Sequence, residues 1–344
     1  MRRALRHVGL VIRCLPRHRQ IPQARQGHTG TTRTGFRLVG SYILKDGRRL
    51  GSIRVALIDT AVVDPLYEKL LWVPVIGKDG KTVVDKAGNL VLRERRTTVN
   101  HAMKSCRRAW NAAMRLHPRD VSDLNPFSKM GLIGSTGIVP EARYSEMLEA
   151  VAAADELGMP SLGTAFMLTW EWLQREKHIF TAFELAHYRP KEHPDEVRIV
   201  HPKNGEEVWV PLFDNGMPLY PELMVRMDVL KRNRVGGLFF VRDWIDKAAQ
   251  VPLPWATASG ALDFVKKKTK EVIRAAKLRD ELSFTSFRHG GLTELGDAEL
   301  TDTQIRALSR QKSSKVLPRY IKRTRRQIIA GTYKRRALRE RESS

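Results

Sequence analysis

Apolar residues return every three to four positions along TTVNHAMKSCRRAWNAAMRLHP, residues 97 to 118. Ala102, Cys106, Ala109, Trp110 and Ala113 fall on one stripe, while Lys104, Arg107 and Arg108 share the remaining surface, so the segment predicts an amphipathic helix with a basic outer face. The stripe reads as core packing; the basic face reads as phosphate contact or as plain solvated surface. Upstream, the pattern is helical in places from about Ile53. It is broken by GKDGKTVVDKAGN, a polar stretch that predicts a short hairpin or loop insertion between helices. Residues 1 to 50 are basic, rich in Gly, Thr and Gln, and carry no sustained period; they read as an arm or a disordered extension.

A Pro, Gly and Ser-rich connection, LNPFSKMGLIGSTGIVPEA, follows the basic helix and predicts a domain boundary. Beyond it the periodicity predicts helices over ARYSEMLEAVAAADELG, LGTAFMLTWEWLQ and YPELMVRMDVLKRN, a short apolar strand over GLFFV, and further helices to the end. Between the second and third helices, EVRIVHPKNGEEVWVPL reads as a β-hairpin. Val197, Ile199, Val208 and Val210 are β-branched there, and Asn204-Gly205 is the pair favoured in a two-residue turn, with Lys203 at its lip. No internal repeat stands out. The expected class is α+β, mainly α with a small antiparallel β-sheet. The domains expected are an arm over 1–50, a helical domain over 51–135, a linker and first helix over 136–158, a second domain over 159–336 and a tail over 337–344.

Charge narrows the class of partner. The 344 residues carry a formal net charge of +24 and a sequence pI of about 10.4, which points to a polyanion, since cations gain affinity for nucleic acid by releasing condensed counterions. A solvated basic surface is the alternative. Two cysteines, Cys14 and Cys106, stand far apart without a His or Cys cluster, so no disulfide framework, metal site or cofactor is expected. No apolar run approaches the roughly 20 residues that cross a bilayer, and the apolar centre of MRRALRHVGLVIRCLPRHRQ is short for a signal peptide. The expectation is a soluble cytoplasmic protein. The same Arg-rich segment superficially resembles a transit peptide, and a basic DNA-contacting arm or an ill-defined start of the reading frame explains it equally well.

The stretch FTSFRHGGLTELGDAELTDTQIRALSRQKSSKVLPRYIKRTRRQ places Arg288 in FRHGG, then two short helical segments, a polar turn at Gln311, and Tyr320 nine residues later. This resembles the C-terminal half of the catalytic domain of tyrosine recombinases, the phage-type integrases. Upstream, WEWLQREKHIF resembles the family's first arginine box, with Arg175 as its arginine, and the hairpin resembles the one carrying the catalytic lysine, here Lys203. The resemblance covers roughly residues 160 to 335, and more loosely the preceding helical region as a DNA core-binding domain. It implies a catalytic set of Arg175, Lys203, Thr285, Arg288, Gln311 and Tyr320. It also implies double-stranded DNA as partner, a homotetramer on two recombination sites, accessory directionality or DNA-bending proteins, and a bacterial, nucleoid-associated mobile-element origin. Lys104, Arg107, Arg108, Arg319 and Lys322 are the expected DNA contacts.

The residue types suit strand transfer on chemical grounds alone. A phosphodiester attacked by a protein hydroxyl gains negative charge on its nonbridging oxygens, which two forked guanidiniums match. Tyrosine, with a pKa near 10, needs cations or a base to act at neutral pH, and a lysine can protonate the leaving 5′-oxygen. Two positions depart from the family pattern. Thr285 occupies the usual His of His-x-x-Arg and Gln311 the later His or Trp, so no general base is evident. Gln174 and Glu176 flank Arg175 in place of the usual Gly-x-Arg context, and His178 stands where the family has Glu. His178 and His289 read as packing histidines. Tyr333 is a competing nucleophile too far beyond Gln311 to match. Two rivals follow: a degenerate recombinase relative that binds DNA without cutting, and a non-enzymatic basic nucleic-acid-binding protein.

Overall fold

The computed structural model describes residues 26–77, 79–134, 139–200, 207–232, 234, 236–309, 321 and 324–342. The chain folds as two units, residues 1–137 and 138–344, divided inside the Pro, Gly and Ser-rich connection.

The N-terminal unit is built on helices α1 (Gln26–Gly40), α2 (Thr60–Leu71) and α3 (Arg96–Leu116). The apolar stripe of α3 is buried as its periodicity requires, with Ala102, Cys106, Ala109, Trp110 and Ala113 in the core. Burial pushes the Cys106 thiol up to about 12, so it stays protonated and inert. The arm expected over residues 1–50 is corrected from Gln26 onward. Residues 26–40 are helical, and Phe36 and Val39, three apart, enter the core while Gly35 lies against Ala102. Four glycines and four threonines in that helix give it poor intrinsic propensity; packing against α3 decides its state.

Between α2 and α3 lies a ribbon, β1 (Trp72–Pro74) paired antiparallel with β2 (Leu92–Glu94). A repeat of eight residues, absent from the expectation, governs it: VIGKDGKT, VVDKAGNL, then VL. Val75 N–H donates to Val91 O (2.8 Å), Val91 N–H to Val83 O (2.9 Å) and Val83 N–H to Val75 O (2.8 Å). Three short extended segments thus close a triangle around three half-buried valines. Each loop turns on a glycine at positive φ, Gly80 (79°) and Gly88 (83°), a conformation that glycine adopts without steric cost. The same turn, Leu44 to Arg48 with Gly47 at φ 79°, precedes Leu50. Two copies and a remnant make too short a signal to stand out against a 344-residue chain.

The C-terminal unit contains α4 (Tyr144–Glu156), α5 (Pro160–Glu171), α6 (Glu176–Thr181), α7 (Pro221–Arg232), α8 (Asp263–Ala275), α9 (Phe284–Asp297), α10 (Asp302–Ser309) and α11 (Arg325–Glu342). Its strands form separate antiparallel ribbons: β3 (Glu196–Val200) with β4 (Glu207–Pro211), β5 (Phe213–Asp214) with β6 (Met217–Pro218), and β7 (Val241–Ile245) with β8 (Pro252–Pro254). The class is α+β, as expected. In the β3–β4 hairpin Val197 faces Val210 and Ile199 faces Val208, the apolar cross-strand pairs that favour the register. The Asn204-Gly205 turn lies outside the described residues. The strand expected over GLFFV is displaced. Leu238 makes a single bridge to Glu184, Phe239 and Phe240 are buried, and the regular strand begins at Val241.

Helix α5 is the centre of this unit, with Ser161 through Trp170 buried, and α4, α7 and α9 pack on it. Its buried start needs partners for free N–H groups. Asp243 of β7 accepts from Ser161 N–H (3.1 Å) and hydroxyl (2.6 Å), and Trp255 Nε1–H donates to Ser161 Oγ (3.0 Å). Among the described residues no helix is long and apolar enough to cross a membrane.

In the N-terminal unit, Tyr67 hydroxyl donates to Asn100 Oδ1 (3.0 Å), Asn100 Nδ2–H to Ile133 O (2.7 Å) and Ile133 N–H to Tyr67 Oη (3.2 Å). Asn100→Ala leaves the buried Tyr67 hydroxyl without its acceptor and Ile133 O without its donor, and is expected to cost about 2 kcal/mol. Urea denaturation read by tryptophan fluorescence checks it; a loss below roughly 0.5 kcal/mol would show the ring to be dispensable.

Candidate active site

Arg288 sits on α9 with 4% of its surface exposed. The helix starts at Ser283, whose N–H donates to Ser286 Oγ (3.0 Å), and Phe284 and Phe287 point into the core. Phe166 meets both at ring-centroid distances of 5.4 and 4.7 Å, and Phe180 meets Phe284 at 5.4 Å. Rotamer and register of α9 are thereby fixed. Thr285, half-buried, precedes Arg288 by three residues and so shares its helix face. His289 is buried beside it.

Immediately after Arg288, two glycines admit the neighbouring chain. A Cβ on Gly290 would lie 2.2 Å from the Trp170 ring and 2.4 Å from Ala142 O; one on Gly291 would lie 2.5 Å from Trp170 O and 3.0 Å from Leu173 Cδ2. The pair therefore lets α9 press on the end of α5, where the segment leading to Arg175 begins. That segment turns sharply. Leu173 takes φ 54°, Gln174 donates to Trp172 O (2.7 Å), and Arg175 then flanks the start of α6 with its side chain exposed. Leu173, two residues before Arg175, thus holds a left-handed backbone that glycine adopts more readily than leucine. His178 is buried and meets Phe183 edge to face at 6.2 Å.

The far end of α9 is tied to the segment that follows Tyr320. Ile321 Cγ2 would be 2.8 Å from a Cβ on Gly296. Thr324 hydroxyl donates to Asp297 Oδ1 (2.5 Å), Gln327 Nε2–H to the same oxygen (2.9 Å), and Lys334 pairs with Glu299. One helix thus carries Arg288, touches the Arg175 segment, and holds the residue next to Tyr320. Lys203, Gln311, Arg319, Tyr320 and Lys322 themselves lie outside the described residues. Lys104, Arg107 and Arg108 are exposed on α3 of the other unit. Tyr333, the competing nucleophile, is exposed on α11. The roles of the glycine pair, Ile321 and Asp297 escaped sequence reasoning; the doublet in FRHGG was the available signal.

An acidic group lies beside this framework. Trp170 Nε1–H donates to Glu294 Oε2 (2.7 Å) and its ring meets Tyr144 edge-on. Burial, then the carboxylates of Glu294 and Glu222, push Glu171 up to about 7, and burial with the same three glutamates raises the Tyr144 phenol.

No family model and no curated protein sequence matches the chain. Among solved structures, a lambda integrase (75–356) dimer bound to a COC′ core site is similar over 90% of this chain and 92% of that one. Its TM-score is 0.61 at 14% identity. The fold is that of the phage-type integrases. A lambda integrase tetramer bound to a Holliday junction is similar over 91% of this chain and 75% of that one, at TM-score 0.62 and 12% identity. The Tn1549 transposon integrase (82–397) in complex with circular intermediate DNA is similar over 95% and 99%, at TM-score 0.61 and 11% identity. The integrase fold thus extends over both units.

Two outcomes are expected from this geometry. Gly291→Ala forces its methyl onto a backbone carbonyl and should destabilise the C-terminal unit by about 1 to 3 kcal/mol, measured by thermal denaturation; an unchanged transition would mean that α5 and α9 are not so closely packed. Glu171, raised in the folded state, contributes stability that is full below about pH 4.5 and lost as pH rises through about 7. The stability gain of Glu171→Gln over the wild type should therefore grow by about 2 kcal/mol between pH 4.5 and 7.5. A pH-independent difference in urea denaturation would contradict the raised carboxyl.

Proposed function

We propose that the chain is a site-specific DNA recombinase or integrase that cleaves and rejoins strands through a 3′-phosphotyrosine intermediate. The observation that carries this reading is α9. It carries the buried Arg288, then the glycine contact to the turn before Arg175, and at its far end the anchor of Ile321, the residue after Tyr320. That arrangement supports convergence of both arginines and the tyrosine on one phosphate. Arg175 and Arg288 would neutralise the nonbridging oxygens, Tyr320 Oη would attack phosphorus, and Lys203 would protonate the departing 5′-oxygen. The bond energy is kept in the phosphotyrosine, and attack by a 5′-hydroxyl reverses the step.

The integrases of similar fold support DNA as the partner, and the one seen as a tetramer on a Holliday junction supports a homotetramer joining two sites. Accessory directionality or DNA-bending proteins, a bacterial origin and action at the nucleoid belong to the same reading, as do a core-binding role for residues 51–135 and phosphate contacts from Lys104, Arg107, Arg108, Arg319 and Lys322. Thr285 and Gln311 favour a second reading, a relative that holds DNA without cutting, because neither side chain accepts a proton near neutral pH.

Supercoiled-plasmid relaxation in EDTA without ATP separates the two. The wild type is expected to relax DNA and to leave a covalent adduct on denaturation. Tyr320→Phe should lose both while binding within about twofold of the wild type, and Arg288→Ala should slow relaxation by roughly 10²- to 10³-fold. Binding without relaxation or adduct, even on nicked substrates carrying the native site, would establish the non-cutting reading.

A further inference from the structure

The ribbon between α2 and α3 has a surface that the fold does not use. Val75, Val83 and Val91 line its interior, and no described residue from 72 to 94 belongs to the hydrophobic core of the unit. Trp72, Ile76, Val84, Leu90 and Leu92 are each about half exposed, more apolar side chains than so small an element leaves in water without a partner. Its carboxylates are all engaged. Asp79 Oδ1 accepts from Lys81 N–H (3.1 Å), Asp85 Oδ1 from Ala87 and Asn89 N–H (2.9 Å each), and Glu94 from Arg96 Nε–H (2.6 Å). Among the described residues no carboxylate pairs with Lys81, Lys86 or Arg93. The related turn at Leu44–Arg48 shows the alternative, for there Arg48 is held by Asp46 through bonds of 2.8 and 2.6 Å.

We propose that residues 72–94 form a prong that enters the major groove of duplex DNA; this deepens the DNA-binding reading and rests on it. A β-ribbon fits a groove about 12 Å wide, whose floor offers thymine methyls to apolar side chains. Lys81 and Lys86 at the turns and Arg93 on the strand reach the flanking phosphates. The last strand runs directly into α3, which carries Lys104, Arg107 and Arg108. A second copy of the chain fits the same surface poorly, because the side-chain charge left unpaired on it is positive and two prongs would oppose like charges.

The test uses the full chain and a 30-base-pair duplex, with affinity followed by fluorescence anisotropy from low to high salt. Replacing Lys81, Lys86 and Arg93 by serine should weaken binding about 10- to 100-fold and lower the salt slope by nearly three, about 0.9 for each phosphate no longer neutralised. A variant with residues 75–91 replaced by a short Gly-Ser turn should behave alike, with circular dichroism unchanged because no core residue is removed. On a duplex whose major groove is filled by glucosylated 5-hydroxymethylcytosine, the advantage of the wild type over this variant should disappear. Variants that match the wild type in affinity and slope overturn the prong and leave the DNA reading intact. Normal DNA binding with lost self-association in ultracentrifugation assigns the surface to a second copy instead. A wild type that fails to bind duplex at low salt removes the underlying reading, and the prong with it.

Discussion

Contact between α9 and the end of α5 leaves no room for a single carbon atom at either Gly290 or Gly291, and the arrangement of the C-terminal unit follows from that closeness. Helices normally pack with axes about 8–10 Å apart, set by the side chains between them; removing two adjacent side chains lets backbone meet backbone and indole. Phe284 and Phe287 lock the rotation of α9 on one side, and the glycines set its depth on the other. Arg288 stands between these two restraints. A buried guanidinium keeps its charge in proteins, so this packing holds a fixed positive charge where water screens little. A phosphate placed there gains more than it would at an exposed arginine.

The same helix is also the mechanical link between segments far apart in sequence. Its start meets the aromatic core, its middle meets the turn before Arg175, and its end holds Ile321, Thr324 and Gln327. Arg288 to Gly296 is eight residues, about 12 Å of helix. The connection between them is rigid secondary structure, so a displacement of α9 is shared by both ends. The carboxylates of Glu171, Glu222 and Glu294 lie along this junction with Trp170, which makes the junction sensitive to pH at a carboxyl raised to about 7.

Strong periodicity was legible and weak periodicity was not. The stripe of α3, the helices α4, α5 and α7, and the β3–β4 register all follow from apolar spacing that one buried face enforces. Helix α1 escaped because four glycines and four threonines conceal two core residues, Phe36 and Val39, whose partners lie on α3. The strand over GLFFV was misplaced because Phe239 and Phe240 are both buried in the aromatic core; consecutive burial breaks the alternation that marks a strand. The motif around Arg288 stood out in the sequence, whereas the reason for the glycines beside it did not. A close approach depends on what arrives from elsewhere in the chain, here Trp170 and Ala142. The eight-residue repeat was visible in principle, since its Lys-x-Gly turns recur at fixed spacing, yet its closure into a ring of three valines is a tertiary fact.

Under the recombinase reading, Thr285 and Gln311 alter proton handling without altering charge. General acid–base groups contribute roughly 10²- to 10⁴-fold, while preorganised electrostatic stabilisation of the developing anion is usually the larger effect. Thr285, one helical turn before Arg288 and half-buried, can still donate a hydrogen bond to a phosphate oxygen. The guanidinium that α9 positions by packing therefore preserves the larger contribution, and the substituted histidines remove the smaller one. Water, or the substrate's own leaving oxygen, can carry a proton at a cost in rate. Neither can replace a permanent positive charge held in place by two glycines and two phenylalanines.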